Sequence, residues 1–380
     1  MQDVRTWIEI DSRALRHNVA EFRKRAGRGV AFMAVVKSNA YGHGLVPVAS
    51  LLARGNPKSP PAPRLRRAGE IRNPKPLWFG VDSIVEALRL RREGIKNPIL
   101  VFGYTLPAAL REAQAAGVTV TISHFEGLEA LGKLKRRPAF HLKLDTGMHR
   151  QGFQEADMPR LITALRTHAL IPDGAYSHFA YPEHVRVAER QERSFERCIA
   201  SLARAGLRPK LLHLSATGGV CEGRKRYHMV RVGFGMYGYL RRRFRRPFVR
   251  PVLTWKAIVG EVKQIKKGEP IGYDLTERMQ RDSAVAILPI GYWHGFDRGL
   301  SSVGEVLIHG RRAKVLGLVS MDMTAVDITA IPKARIGDEV VLIGHQGREF
   351  IGADEMAEKI GTTAYETLTR INPLIRRVVV

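Results

Sequence analysis

Apolar residues cluster into eight short runs along the first two thirds of the chain. Each run is four to seven residues long and is followed by polar or small residues, as expected of buried strands. The runs lie at residues 30–36, 77–81, 98–102, 118–122, 139–144, 174–179, 211–214 and 229–232. Eight short strands alternating with helices predict an α/β fold, a (β/α)8 or TIM barrel, over residues 11–248.

Helical spacing fills most of the intervals between these runs. Leu15, Val19 and Phe22 fall on one face of a first helix, which Asp11 or Ser12 can cap. Two further amphipathic helices are predicted at 83–93 and 186–205.

The pattern changes after Pro251. Strand-like runs rich in Val and Ile are separated by Gly, Asp and Lys, and helical spacing returns only at 354–360. We therefore predict a mostly-β C-terminal domain at 249–380, which a strand in residues 1–10 joins. The strand-like runs lie at 252–262, 283–289, 303–309, 313–319 and 339–343. Residues 54–76 carry six prolines in a basic stretch and predict an exposed insertion.

The chain of 380 residues has a formal net charge of +26, which raises the possibility of nucleic-acid binding. Two segments, 54–76 and 241–250, each hold a net +6, and the remainder is spread along the chain. Basic and aromatic residues do not interleave as they do in an RNA-binding strand. The charge therefore does not favour a nucleic-acid partner.

The location expected for the chain is the cytoplasm. No window holds the roughly 18 continuous apolar residues of a membrane span, and residues 1–10 do not resemble a secretory signal. The two cysteines, Cys198 and Cys221, form neither a disulfide framework nor a Cys-x-x-Cys metal site. We expect no membrane contact and no metal.

Lys37 is the first candidate for chemistry. It stands where the apolar run 30–36 ends, followed by small and polar residues. Desolvation at such a strand exit would disfavour the ammonium form, and the neutral amine can attack a carbonyl. The alternative is an ordinary strand-end lysine with its ammonium in solvent.

Other polar residues follow the same rule of position. The carboxyl ends of barrel strands form one rim, where the chemistry of this fold is located. The segments 215–219 and 233–235, after the seventh and eighth strands, offer hydroxyls and backbone N–H groups suited to a phosphate. A lysine amine and a phosphate cradle on one barrel point to pyridoxal phosphate. The ionisable residues predicted at this rim are Lys37, Lys143, Asp145, His178, His213 and Arg231.

A competing motif is present at 233–238, which matches G-x-G-x-x-G after a strand. A dinucleotide site would need a helix there and an acidic residue about 20 positions later. An arginine run follows instead, and the next acidic residue is Glu261. Dinucleotide binding is therefore not favoured.

Taken together, the motifs resemble those of the alanine racemases, pyridoxal-phosphate enzymes with a (β/α)8 barrel and a C-terminal β domain. The resemblance covers nearly the whole chain. Its markers stand at 34–44, 143–152, 177–180, 229–238, 272–274, 289–292, 320–323 and 364–366. It implies a homodimer with shared active sites that interconverts L- and D-alanine and supplies D-alanine to peptidoglycan.

The resemblance also implies two bases. Lys37 matches the Schiff-base lysine, and Tyr273 matches the second base, which reaches the site from the partner subunit. Racemisation removes a proton from one face of Cα and delivers one to the other, so one base per face suffices. Five residues match positions that hold the cofactor's phosphate: Tyr41, Thr217, Gly233, Phe234 and Tyr365.

Further positions are assigned by the same resemblance. Arg231 matches the arginine that faces the pyridine nitrogen, and His178 the histidine that links this arginine to Tyr273. Arg150 matches a residue at the cofactor's phenolic oxygen and the substrate carboxylate. The remaining three are Lys143, where many members carry a carbamylated lysine, Met321, a substrate-carboxylate contact from the partner, and Tyr292, at the entry channel. For Lys143 an ordinary ion pair with Asp145 is the alternative.

The chain departs from the family pattern at 293–295, which reads Trp-His-Gly instead of Ala-Asp-Gly, and at 181–183. These departures leave the substrate range open. A racemase of serine or of a larger amino acid is one alternative, and a non-catalytic pyridoxal-phosphate protein is another. A decarboxylase or lyase of the same fold is disfavoured, because the former needs a different cysteine motif and the latter metal ligands in the β domain.

Overall fold

The computed structural model describes residues 4–54, 76–240 and 248–380. The insertion predicted at 54–76 lies outside the described residues except for its two ends. Residues 241–247 of the arginine run lie outside them as well. Within the described part, no helix is both long and apolar enough to cross a membrane.

The chain starts with strand β1 (Thr6–Ile10) and helix α1 (Ser12–Ala26). Asp11 caps α1, because its carboxylate accepts hydrogen bonds of 2.8 Å from the N–H groups of Arg13 and Ala14. Eight parallel strands then follow: β2 (Ala31–Val35), β3 (Trp78–Val81), β4 (Ile99–Val101), β5 (Val120–Ile122), β6 (Phe140–Lys143), β7 (Gly174–Tyr176), β8 (Leu211–His213) and β9 (Met229–Val232). Each lies within one of the eight predicted runs, so the predicted barrel strands are confirmed.

The barrel consists of two four-stranded arcs, ordered β4-β3-β2-β9 and β5-β6-β7-β8. Single bridges, Leu100 to Thr119 and Ala216 to Arg231, join the arcs into a closed cylinder. The segment α2 (Lys37–Tyr41) is left-handed and lies at the rim. The remaining helices of this region are α3 (Leu45–Ala53), α4 (Ile84–Arg92), α5 (Leu110–Ala115), α6 (Phe125–Gly132), α7 (Met158–Thr167), α8 (Val185–Arg204) and α9 (Thr217–Cys221).

The C-terminal domain is built around one large, mainly antiparallel sheet, in the order β11-β14-β17-β16-β15-β18-β10-β1-β20. Its strands are β10 (Leu253–Ile258), β11 (Glu261–Ile265), β14 (Ser283–Leu288), β15 (Glu305–Ile308), β16 (Arg311–Leu316), β17 (Thr324–Asp327), β18 (Glu339–Gln346), β19 (Glu349–Ile351) and β20 (Arg376–Val379), with a separate hairpin of β12 (Pro270–Ile271) and β13 (Glu277–Arg278). Strand β1 lies between β10 and β20, so the N-terminal strand is part of this sheet.

One predicted strand divides in two. The run at 252–262 was expected to be a single strand, but it breaks between β10 and β11. Val259 and Gly260 bond elsewhere, to the carbonyls of Asp338 and Ile287, so β10 pairs with β18 while β11 pairs with β14. The run of Val and Ile continues through this corner, and alternation alone did not reveal it.

Helices α10 (Ala353–Lys359) and α11 (Ala364–Thr369) bring the C-terminal domain back to the barrel rim. The guanidinium of Arg377 donates to the carbonyl of Gly42 at 3.0 and 3.2 Å, and the Tyr365 ring stacks on Phe234 with 3.5 Å between centroids. These contacts fix the C-terminal domain against the loop that follows β2.

Candidate active site

A cavity of about 850 Å³ opens at the carboxyl ends of the barrel strands. Barrel strand ends form most of its wall, and residues of α10 and α11 close one side. Ten of the residues predicted for the site line it: Lys37, Tyr41, Lys143, Arg150, His178, Thr217, Arg231, Gly233, Phe234 and Tyr365. The rim predicted from strand ends is therefore a physical cavity.

Lys37 lies at the mouth of β2, beside Asp82 at the mouth of β3. Its Nζ is 3.1 Å from Asp82 Oδ1, and the lysine side chain is 37% exposed. The expectation of an amine held in apolar surroundings is wrong, because a carboxylate faces it. Sequence reasoning missed Asp82.

The backbone after Lys37 forms a left-handed turn. Residues Ser38 to Tyr41 all have φ of +53° or +54°, a conformation that costs about 1–2 kcal/mol per residue. Hydrogen bonds hold this turn: Asn39 N–H donates to Glu86 Oε1 at 3.1 Å, and Asn39 Oδ1 accepts from Leu45 N–H at 2.8 Å. The turn aims Tyr41 into the cavity.

A small polar cradle lies in the cavity at the end of β9, the strand that pairs with β2. Gly233 N–H is 3.3 Å from Thr217 Oγ1. A Cβ on Gly233 would lie 2.6 Å from Tyr41 Oη, so only glycine leaves this space open. Burial raises the pKa of Tyr41, which keeps its hydroxyl protonated and able to donate. Phe234 and Tyr365 stack at the edge of the cradle.

Arg231 on β9 is buried and fixed by four acceptors. One Nη donates to the carbonyls of Ser177 and Leu214 at 2.7 and 3.0 Å and lies 3.2 Å from His178 Nδ1; the other lies 2.7 Å from His213 Nδ1. A guanidinium can only donate, so both Nδ1 atoms accept. Burial lowers the pKa of Arg231 to about 10, which leaves it charged at neutral pH.

Behind Arg231 and its two imidazole partners lies a third imidazole, that of His141. His213 Nε2 is 2.9 Å from His141 Nδ1, and the His213 ring stacks on Tyr176 at 4.7 Å. Burial lowers the pKa of His141 to about 3, so it stays neutral. Sequence reasoning missed His141, although it stands two residues before Lys143 on β6 and therefore faces the same side of the strand.

Lys143 is 5% exposed, and in the described part of the chain no carboxylate forms an ion pair with its ammonium, although the charge of Asp145 acts on it from a greater distance. Nζ donates to the carbonyl of Leu144 at 3.3 Å and lies 5.1 Å from the Tyr176 ring centre. The alternative pairing with Asp145 is not formed, because Asp145 Oδ1 accepts from three backbone N–H groups of the next loop. Burial, helped by the charge of Arg231, lowers the pKa of Lys143 to about 7.

Three predicted residues are not brought to this cavity. Tyr273, Tyr292 and Met321 belong to loops of the C-terminal domain and are 69%, 43% and 54% exposed. Among the described residues they are absent from the cavity wall. One chain thus assembles the barrel part of the predicted site and leaves the other part on its surface.

Most of the chain matches one family. The model of the alanine racemase N-terminal domain matches residues 10–58 and 74–241, and that of the C-terminal domain matches residues 252–379. The chain belongs to the alanine racemase family.

Relatives support this membership over the full length. The alanine racemase of Symbiobacterium thermophilum is 36% identical over 98% of the chain and 96% of its own length. That of Methylacidiphilum infernorum is 33% identical over 98% of the chain and 92% of its own length.

Solved structures of the family share the fold. The alanine racemase of Bacillus anthracis with bound L-Ala-P superposes with a TM-score of 0.87 at 31% identity, covering 99% of this chain and 95% of that one. The alanine racemase of Streptomyces coelicolor A3(2) superposes with a TM-score of 0.86 at 31% identity, covering 99% and 98%. The (β/α)8 barrel followed by a C-terminal β domain is therefore confirmed.

Proposed function

We propose that this protein interconverts L- and D-alanine with pyridoxal 5'-phosphate as cofactor. The observation that carries the proposal is the barrel rim of a chain that matches alanine racemases over its full length. An amine, a buried guanidinium and a hydroxyl cradle line one cavity there, in Lys37, Arg231 and the group around Gly233.

The residues present fit this cofactor. The missing Cβ at Gly233 leaves space beside the hydroxyls of Tyr41 and Thr217, which suits a phosphate oxygen. Arg231 presents a fixed donor that cannot become an acceptor, which suits an unprotonated ring nitrogen. Lys37 supplies an amine for the aldehyde, and Phe234 and Tyr365 complete the phosphate end.

Bound pyridoxal phosphate would draw electrons from the substrate's Cα and so make its proton removable. On one face of Cα, Lys37 would accept or deliver that proton. On the other face this role falls to Tyr273, which is exposed on its own chain and is proposed to reach the cavity of a second copy. His178, 3.2 Å from Arg231, would link that tyrosine to the guanidinium.

The substrate carboxylate needs cationic and polar contacts. Arg150 lines the cavity and is exposed to it, so its guanidinium is proposed to bind this carboxylate and the cofactor's phenolic oxygen. Met321 and Tyr292 would come from the second copy, the first to the carboxylate and the second to the entrance. Both are exposed on their own chain, as such roles require.

Lys143 is proposed to support Arg150 as a carbamate. A neutral amine is the form that reacts with carbon dioxide, and a pKa near 7 makes this form abundant at neutral pH. The product would be an anion beside the charges of Arg150 and Arg231, both of which disfavour the unmodified ammonium.

We also propose a cytoplasmic homodimer that supplies D-alanine to peptidoglycan. Cys198 and Cys221 are both free, in keeping with a reducing compartment. The partners are a small amino acid and a second copy of the chain, with neither a membrane nor a nucleic acid.

The proposal is tested by isotope exchange. The purified chain, loaded with pyridoxal phosphate, is incubated with L-alanine in D2O, and Cα deuteration and optical rotation are followed. We expect both rotation and the Cα proton to be lost, and Lys37→Ala to abolish both changes. No exchange with any amino acid would mean that the chain is not a racemase, and faster exchange of L-serine or a larger amino acid would replace alanine as the substrate.

A further inference from the structure

The carboxylate beside Lys37 is placed there by the register of two neighbouring barrel strands. Parallel strands β2 and β3 pair Val35 with Gly80. Lys37 and Asp82 each stand two residues beyond this pair, so both side chains leave the rim on the same side of the sheet. Their charged atoms are 3.1 Å apart.

Glu86 holds the two strand ends together. Its Oε2 accepts from the N–H of Asp82 at 2.9 Å, and its Oε1 accepts from the N–H of Asn39 at 3.1 Å. The carbonyl of Asp82 also accepts from the N–H of Gly103 at 2.9 Å. The backbone under the ion pair is therefore fixed from both sides, and the pair does not depend on two free loops meeting.

The charge of Asp82 also reaches the cavity. It adds to the burial that raises the pKa of Tyr41 and of Tyr176, both of which line the cavity wall. A carboxylate in this place is unexpected beside a site proposed for a phosphate and a substrate carboxylate. Its nearest cation is the amine that the proposed reaction uses.

We propose that Asp82 is a positioning residue for Lys37, because the ion pair holds the amine at the rim whenever it is not bonded to the cofactor. The proposal rests on the proposed function, because that function is what makes the Lys37 amine react. The ion pair is independent of it. An ammonium has no lone pair, so it must release one proton before its nitrogen adds to an aldehyde carbon and the oxygen leaves as water. Asp82 therefore slows the reaction of the Lys37 amine with an aldehyde. It also keeps this amine at the rim, beside Asp82, while the substrate is bound.

The test measures the reactivity of Lys37 in the cofactor-free full-length chain. Formaldehyde with cyanoborohydride methylates only the neutral amine, and peptide mass spectrometry reports the rate at Lys37 across a pH series. Half-exposed ion pairs are weak, so we expect Asp82→Asn to raise this rate about two- to fivefold at neutral pH. Asp82→Glu, which keeps a carboxylate, should remain close to the wild type.

The matched control is Asp282→Asn, which changes the net charge equally. It breaks the exposed pair of Asp282 with Lys266, 2.8 Å apart in the C-terminal domain, and should speed labelling of Lys266 while leaving Lys37 unchanged. In the wild type, a salt series should raise the Lys37 rate as the pair is screened, which tests the proposal without any variant.

Equal Lys37 rates in the wild type and Asp82→Asn, with no salt dependence, would overturn the proposal. A general loosening of the fold would speed many lysines and would not be reversed by glutamate, so it would also count against Asp82. Because labelling needs neither cofactor nor turnover, it remains decisive if the isotope exchange fails. If isotope exchange is normal and Asp82→Asn leaves the labelling of Lys37 unchanged, the role of Asp82 is wrong and the proposed racemase function is unaffected.

Discussion

The barrel rim and the loops of the C-terminal domain both carry predicted site residues, but only the rim gathers them. Arg231 is buried with four acceptors, and Gly233 and Tyr41 are in close contact. Tyr273 and Met321 are instead more than half exposed on the opposite domain. Under the proposed function, this difference would mean that one chain builds the cofactor's part of the site and presents the remaining residues outward for another copy.

Backbone geometry sharpens this contrast. The turn after Lys37 and the turn at Tyr273 both contain left-handed residues, with φ near +53° at Ser38–Tyr41 and of +58° and +50° at Asp274 and Leu275. The first turn is held by Asn39 and Glu86. No side chain caps the Tyr273 turn in the described part of the chain. Strained backbone persists where its surroundings fix it, and packing of a second copy would supply that support.

Pairing two inactive variants tests this division directly, and it carries the largest expected effect. Lys37→Ala and Tyr273→Phe should each lower racemisation by about 10²- to 10⁴-fold, as expected for loss of a proton-transferring group. Co-expressed, they should recover about a quarter of wild-type activity. About half of the dimers would be mixed, and in a mixed dimer one site carries both substitutions and the other neither.

The control for this experiment stays within one region. Lys37→Ala co-expressed with Arg231→Lys places both defects on the barrel, so every site in a mixed dimer keeps one defect and activity should not return. No recovery in the first pair would show that the barrel and Tyr273 of one chain serve the same site. Recovery in the control would instead contradict the placement of Lys37 and Arg231 in the cavity of one chain.

Sequence reasoning was most successful where the pattern is strongest. All eight barrel strands were predicted because apolar runs with polar ends are the direct signature of parallel strands buried on both faces. Ten predicted residues reached one cavity. The rule that strand ends share a rim, which needs no side-chain detail, accounts for those on the barrel strand ends such as Lys37 and Arg231. Tyr41, Arg150 and Tyr365 were instead predicted from the family resemblance. Strands β17, β19 and β20 of the C-terminal domain were missed. They are as short as the barrel strands but are not buried on both faces, so no continuous apolar run marks them.

What the sequence could not show is the partner of each polar group. The pairing of Lys37 with Asp82 depends on the register of β2 against β3, which is set by three-dimensional packing. The contact of His141 with His213 joins residues 72 positions apart. The left-handed turn after Lys37 contains no glycine until Gly42, so residue type gave no sign of it.

The second largest expected effect is on the pH dependence of stability. The buried Lys143 and the exposed Lys266 should contribute to it in opposite directions. The pKa of Lys143 is lowered to about 7, from 10.5, by burial. Between these values the unfolded chain binds more protons than the folded one, so stability rises with pH. In CO2-depleted buffer, urea unfolding should show a gain of about 2–4 kcal/mol from pH 7 to 10 that is absent in Lys143→Met.

Lys266 in the C-terminal domain provides the contrast for this measurement. A hydrogen bond to Asp282, followed by the charge of that carboxylate, raises the pKa of Lys266. The contribution of Lys266 to stability is therefore fully present below the pKa that this lysine has in the unfolded chain. It is lost only as pH rises through the higher pKa of the folded chain. Lys266→Met should leave the rise between pH 7 and 10 intact. An equal rise in Lys143→Met would place the titrating group elsewhere.

The smallest effect tests whether the cradle works within one chain. Gly233→Ala carries a backbone cost, because φ of −113° and ψ of −100° lie outside the main regions open to other residues, and the new Cβ would lie 2.6 Å from Tyr41 Oη and must displace that ring. Overpacking of this kind costs about 1–2 kcal/mol, so absorbance titration of the cofactor-free chain should show about tenfold weaker binding of pyridoxal phosphate. In a Tyr41→Phe background the nearest atom is the ring carbon, at 3.1 Å, and the loss from Gly233→Ala should shrink. The effects of substitutions at two contacting residues are in general not additive. If Gly233→Ala weakens binding of pyridoxal phosphate equally in the wild type and in Tyr41→Phe, the glycine is needed for a reason other than the space beside Tyr41.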